Sequence, residues 1–355
     1  MLAQLTRRVA LATLVALGPA AGLASAQLYE IEDLGTFGGP TSAANAINES
    51  GAVVGWATTA AGTQWGFHLW QGVRINLTHI TGAFTAEALG VSNNIEESCG
   101  WALNSQGQRR GMLWVFDTII DVGTLGGTEA QSYDLNTSRV VGWAHNASGQ
   151  RRPFQRVGLS LIDLGTLGGP TGEAHAINDF HYAAGMSEIV APGPAPVNHA
   201  TVWAGTLTLD LGTLGGTNSV AEGMNELCQV VGGAETGAAG EPEHAFLWLP
   251  LPAYGLPVGM NDLGTLGDAA TSRAWAISDA GEVVGQSGTN DADGALGTRA
   301  FVWDGVSGMR DLNNHIITDD DWVLLTARGV NNAGDIVGAG LHAGVLRGYR
   351  LTRLP

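Results

Sequence analysis

DLGTLGG, residues 163–169, is a segment that the chain writes over and over. It returns unchanged at Asp210, as DLGTFGG at Asp33, as DVGTLGG at Asp121 and as DLGTLGD at Asp262. Degenerate copies begin at Asn76 (NLTHITG) and Asp311 (DLNNHII), so successive copies are 43, 45, 42, 47, 52 and 49 residues apart. Each interval has the same internal order. An alternating stretch ends in Asn or Ser, as in Ala44–Asn48. A turn leads to a Val-Val-Gly-like strand such as Val53–Gly55, and after a loop of variable length a third strand ends in Trp, as in His244–Trp248. A short turn then delivers the strand carrying Asp-Leu-Gly. Four short strands per unit of this length, here termed a to d, predict a β-propeller blade. A glycine follows strand b in all seven units, at Gly55, Gly100, Gly142, Gly185, Gly232, Gly285 and Gly338. Glycine inside a strand marks a close backbone approach.

The count of strands predicts how the ring shuts. Seven a-b-c sets are present, and the last, within residues 327–351, has no strand d after it. An orphan strand d, residues 28–34, stands ahead of the first set. The expected fold is therefore all-β, a seven-bladed propeller of four-stranded blades in one domain, residues 27–355. Strand 28–34 would pair with the strands of 327–351, and closure would remove exposed sheet edges. An open solenoid would need capping units, and the sequence shows none.

The first residues read as a secretory signal. Arg7 and Arg8 precede the apolar run Val9–Leu17, and Ala24-Ser25-Ala26 has the small-x-small form of a cleavage site. Cleavage near Ala26 would place the mature protein outside the cell or in the periplasm. Glycine is abundant (53 residues), the formal net charge is -17, and the chain has Arg but no Lys. Such a surface repels phosphate backbones, which argues against nucleic acid as a partner. No later run is long enough to span a membrane, and a monomer is expected. Cys99 and Cys228 fall in different blades, too far apart to be bridged, and are expected as free, mostly buried thiols.

One position in strand c, four before the Trp site, is basic in six units, and the next strand d supplies an Asp. The expected pairs are Arg110 with Asp121, Arg152 with Asp163, His199 with Asp210, His244 with Asp262, Arg299 with Asp311 and, through ring closure, Arg347 with Asp33. Two-residue turns at Val157-Gly158 and Ala204-Gly205 would set Arg152 directly opposite Asp163 and His199 directly opposite Asp210. A motif present in six copies is structural, since a catalytic centre needs one constellation. Trp70, Trp114, Trp203, Trp248 and Trp303 end strand c and are expected to fill the wedge between twisted sheets. Asn48, Asn136, Asn178, Asn225 and Asn331 are expected as turn formers.

With these elements in order, the chain resembles the bacterial extracellular HAF-repeat family. That family is named for the His-Ala-Phe that opens strand c, present here as His244-Ala245-Phe246. The resemblance covers everything after the signal segment and implies a secreted repeat protein. It supplies no catalytic residues.

Function is expected in the loops. The b–c and d–a connections of a blade emerge on one face, and the longest of them carry Glu188, Glu235, Glu241, Glu243, Asp291, Asp293, Asp319, Asp320 and Asp321. A rigid ring with variable loops is a common binding surface. The expected function is a secreted, non-catalytic binding or structural scaffold for a protein or polysaccharide. No cofactor is expected. Calcium is a weak candidate at Asp291, Asp293, Asp319, Asp320 and Asp321, where the loop start lacks the closing Glu of a calcium loop. No nucleophile elbow, zinc-protease motif or phosphate loop is present. The alternative is a glycan hydrolase or lyase using loop carboxylates, which converging, unpaired carboxylates in the central cavity would favour.

Overall fold

The computed structural model describes residues 27–77, 85–94, 97–115, 118–191, 193–237, 242–288, 297–318 and 320–355. The expected signal segment lies outside them. Seven sheets, each with four antiparallel strands that follow one another from a to d, form the seven-bladed propeller. Strand a spans Gly38–Ile47, Ala86–Val91, Gly126–Leu135, Gly168–Ile177, Ser219–Met224, Thr271–Ile277 and Trp322–Val330 in blades 1 to 7. Each strand a touches strand a of both neighbouring blades, so this strand lines the axis.

The ends of the chain close the ring. Tyr29–Asp33 pairs antiparallel with Val345–Arg353, placing Ile31 opposite Leu351. Tyr29, Tyr349 and Leu351 are fully buried in this composite blade. A short extra strand, Ile316–Ile317, runs parallel to Tyr29–Asp33 on its outer side.

Packing between blades follows their convergence on the axis. The strand a position four before the closing Asn or Ser is Ala44, Ala88, Ser132, Ala174, Ala221, Ala274 and Ala327, each with no exposed surface. Near the axis only a side chain of this size fits. Farther out the wedge opens and larger residues fill it. Phe67, Phe154, Phe246 and Phe301 are fully buried, and each contributes about 1.5–3 kcal/mol by leaving water. The strand c tryptophans pack on the preceding blade: Trp114 against Val54, Trp248 against Val202, Trp303 against Val231. Trp203 also donates its indole N–H to the Gly165 carbonyl across that boundary, at 3.1 Å.

The asparagines closing strand a do more than form turns. Each side-chain oxygen accepts N–H groups of its own turn, as Asn48 does from Ser50 and Ala52. Each amide then donates to the next blade. Asn331 reaches the Asn48 carbonyl and Asn48 that of Ser92. Asn136 reaches Asn178, Asn178 reaches Asn225, and Asn225 reaches Ser278. Asn is suited to both tasks because it carries an acceptor and a donor on one short side chain.

All six charge pairs form between strands c and d, at 2.9 Å in five blades and 3.0 Å for Arg347 with Asp33. Their register differs from the expected one. Asp163 is opposite Phe154 and Asp210 opposite Thr201, so each pair is diagonal. The turn sits one residue later because Gly158 and Gly205, at φ +58° and +66°, occupy its first central position, the place of glycine in a type II′ turn. The diagonal distance is within the reach of Arg. Cys99 and Cys228 are buried and unbridged.

Arg152 is 17% and Asp163 39% exposed, which puts the pair in the range of about 0.2–1 kcal/mol for solvent-screened contacts. An Arg152→Ala/Asp163→Ala double-mutant cycle in denaturant is expected to show coupling of that size, shrinking with added salt. Zero coupling at low salt would dismiss the pair as a stabilising contact.

Candidate functional site

The channel on the axis is built by one irregularity repeated seven times. In every blade the a–b register skips one residue of strand a just after the partner of the strand b glycine: Asn45, Leu89, Tyr133, His175, Glu222, Trp275 and Arg328. Such a bulge re-aims the side chain of the extra residue. All seven line one cavity of about 310 Å³ on the axis. A second cavity of about 460 Å³ continues toward the face of the b–c loops and is lined by Trp56, Glu87, Gln286, Thr326 and Leu346. The two meet at Asn45, Leu89 and Arg328.

The strand b glycine makes the bulge sterically feasible. A Cβ at Gly55, Gly100, Gly142, Gly185, Gly232, Gly285 or Gly338 would be driven into a strand a carbonyl, that of Ala43, Glu87, Gln131, Glu173, Val220, Arg273 or Thr326 respectively. The glycine expected to mark a close approach thus marks one within its own blade.

Strand a supplies most of a polar network that follows the channel wall through blades 3 to 7. Tyr133 donates its hydroxyl to Glu173 at 2.9 Å, and Arg151 bonds the other Glu173 oxygen at 2.9 Å. His175 lies between Glu173, at 3.6 Å from Nε2, and Glu222, at 3.0 Å from Nδ1. Glu222 also holds Arg273 at 2.9 Å, and Arg273 grips Glu243 through two nitrogens. Arg328 covers the face of Trp275 at 3.7 Å from the ring centroid, a cation–π contact. Burial alone would lower the His175 pKa, but Glu222 and Glu173 override it and hold it up at about 10. Burial alone would raise Glu173, yet hydrogen bonding and charge from His175, with Tyr133 and Arg151, hold it at about 2. Glu222 is likewise lowered against its burial, by His175 and Arg273. The site at neutral pH is thus an imidazolium between two carboxylates.

Two other carboxyls near the axis behave differently. Burial raises Asp134 to about 6, although its oxygens accept the N–H groups of Leu135 and Ile177 at 2.8 and 2.9 Å. Burial also raises Glu87, which accepts from Asn45 at 2.9 Å and from Trp101.

A second acidic feature rims the channel on the a–b turn face. In five blades the residue after the closing Asn or Ser passes a hydrogen bond onward: Asp179 N–H to Glu226, Glu226 N–H to Asp279, Asp279 N–H to Asn332, Asn332 N–H to Glu49 and Glu49 N–H to Asn93. Burial, with the charges of Asp179, Asp279 and Asp134, raises Glu226 to about 7.

The loop carboxylates expected to form a binding surface are placed as follows. Glu188 accepts from Thr171 at 2.7 Å. Glu235 accepts the N–H groups of Thr217 and Asn218. Glu243 pairs with Arg273. Asp320 and Asp321 are exposed ahead of strand a of blade 7. Glu241, Asp291, Asp293 and Asp319 lie outside the described residues. Among the described residues no three His, Cys, Asp or Glu side chains converge as a metal site. Among the described residues no helix is long and apolar enough to cross a membrane.

Sequence reasoning passed over the channel residues, although a signal was present. Within strand a, the position three before the closing Asn or Ser is the one where the seven units carry seven different residue types.

The chain is similar in structure to the β-propeller domain of the Trilobed protease from Pyrococcus furiosus. The TM-score is 0.52 and the identity 10%, over 92% of this chain and 94% of that one. A gluconolactonase from Xanthomonas campestris is similar at TM-score 0.41 and 11% identity, over 93% of this chain and 91% of that one. A lectin from Burkholderia pseudomallei is similar at TM-score 0.40 and 10% identity, over 88% and 98%. At these identities the likeness is one of fold alone. No protein-family model matches the chain, and no curated protein does.

The raised Glu226 gives a pH-dependent prediction. A carboxyl whose folded pKa lies above its unfolded value of 4.5 costs stability as pH rises from there through about 7, and the cost then levels off. Glu226→Gln keeps an oxygen to accept the Asp179 N–H and is expected to raise the melting temperature at pH 8 while leaving it unchanged at pH 4. Equal effects at both pH values would contradict the raised pKa.

Proposed function

We propose that this protein is an exported, non-catalytic binding module, a propeller of the HAF-repeat kind whose ligand site is the axial channel. The observation that carries this reading is the contrast within strand a. The packing position is Ala or Ser in all seven blades, whereas the bulged channel position differs in every one. A scaffold needs only the first pattern. A surface that recognises an asymmetric ligand needs the second. The carboxylates on the channel wall support binding over catalysis, because each is held by protein partners. A glycosidase needs one carboxyl free to protonate a leaving group and a second free to act opposite it. In the alternative reading the loop carboxylates would do this work, yet Glu235 and Glu243 are occupied by backbone N–H groups and by Arg273. The acidic loops on the b–c face would form an outer rim for a protein or polysaccharide partner.

Leu89→Trp adds bulk where the two cavities meet and tests the reading directly. In gels containing neutral or acidic polysaccharides, the wild-type protein is expected to be retarded by at least one polymer and to release no new reducing ends or unsaturated products. Leu89→Trp should migrate freely while keeping its melting temperature. Turnover by the wild type that His175→Gln abolishes would establish an enzyme instead.

A further inference from the structure

The channel offers one cation that is bonded to no carboxylate among the described residues, although Glu222 and Glu87 act on it through space. Glu222 is bonded to His175 and Arg273, and Glu87 to Asn45 and Trp101. Arg328, at the junction of the two cavities, makes no hydrogen bond or ion pair among the described residues; its contact is the Trp275 ring. With one face of the guanidinium on the indole, the N–H edge is directed elsewhere. That edge suits a planar or tetrahedral oxyanion bound through two nitrogens.

The wall beside Arg328 has a second character. The 460 Å³ cavity holds the half-buried Trp56, Thr326, Asn45 and Gln286. The Thr326 hydroxyl is buried and has no hydrogen-bond partner. The Asn45 amide donates to Glu87 and to the Ala88 carbonyl, which orients its oxygen as an acceptor. An aromatic face with separate hydroxyl and amide groups fits a ring with apolar C–H faces and hydroxyls at its edge. The cavity lies within the range of about 300–1,000 Å³ typical of small-ligand sites.

We propose that the 460 Å³ cavity binds a sugar ring carrying an oxyanion, the carboxylate of a uronate or a sulfate ester, with the anion on Arg328 and the ring against Trp56. This rests on the channel being the binding site. The overall negative charge of the protein does not forbid it: at physiological salt, surface charges are screened beyond about 8 Å, and Arg328 acts at contact.

The test is calorimetric titration of the mature protein with glucuronate, glucose 6-sulfate and glucose. At least one anionic sugar is expected to bind saturably, with glucose at least tenfold weaker. The stronger anion tells carboxylate from sulfate. Arg328→Gln should weaken the anionic sugar roughly 10- to 100-fold, the loss of a charge-assisted hydrogen-bonded pair, and leave the melting temperature in place. Trp56→Leu should weaken all sugars alike. Equal binding of glucose, an unchanged affinity in Arg328→Gln, or no saturation up to about 10 mM would overturn the proposal. If Arg328→Gln is without effect while Leu89→Trp abolishes polysaccharide binding, the anion assignment fails and the channel reading stands. If neither variant changes polysaccharide binding, the channel reading itself fails.

Discussion

A missing Cβ governs this ring. In each blade a strand b glycine lets a strand a carbonyl approach closer than any side chain would allow. The approach accommodates one extra residue in strand a, and the bulge turns that residue toward the axis. Packing of the blades, the channel and its chemistry all depend on this contact. Restoring a Cβ would meet backbone, which cannot swing aside as a flexible side chain can.

The same geometry divides labour along strand a. The residue before the bulge faces the preceding blade, as Ala88 does Val54 and Ala274 does Val231, where only Ala or Ser fits. The bulged residue meets no such limit and is free to vary. Toward the rim the sheets diverge, and Phe and Trp take over the filling. The oxygen of each closing Asn then holds its own turn while its amide donor stitches blade to blade on the a–b turn face, and the Arg–Asp and His–Asp pairs hold strand d at the outside. The outer pairs are partly exposed and individually weak. The inner network is enclosed. Glu173, His175, Glu222 and Arg273 compensate one another's charge there, which is how ionised groups persist at low local dielectric.

The fold was legible because it is written in repeats. DLGTLGG serves the same local purpose each time. Its Asp oxygen accepts the N–H two residues on, as Asp163 does from Gly165, and its Thr hydroxyl bonds the second Gly of the closing pair, as Thr166 does with Gly169. Such contacts span two or three residues and are readable locally. The charge pairs were also legible, since strand c and strand d adjoin in sequence. Their exact register was not, because it turned on which residue of a short turn takes the positive φ. The channel escaped notice for another reason. Attention to what the repeats share hides the position where they differ, and the loop carboxylates looked more chemical than Tyr133, His175 or Arg328 scattered at intervals of more than 40 residues.

The amino-acid sequence by itself determined the number of blades, the strand order, the closure between the two ends and the pairing of strand c with strand d, because these follow from periodicity and nearest-neighbour pairing. Only the tertiary structure decided which strand faces the axis and which side chains meet there. Seven residues from seven blades converge only after the ring closes, and their partners are chosen by distances across the channel and not by separation along the chain. Electrostatic compensation is a property of that enclosure. It left Glu173 and Glu222 paired through His175, and Arg328 near Glu222 and Glu87 but bonded to neither.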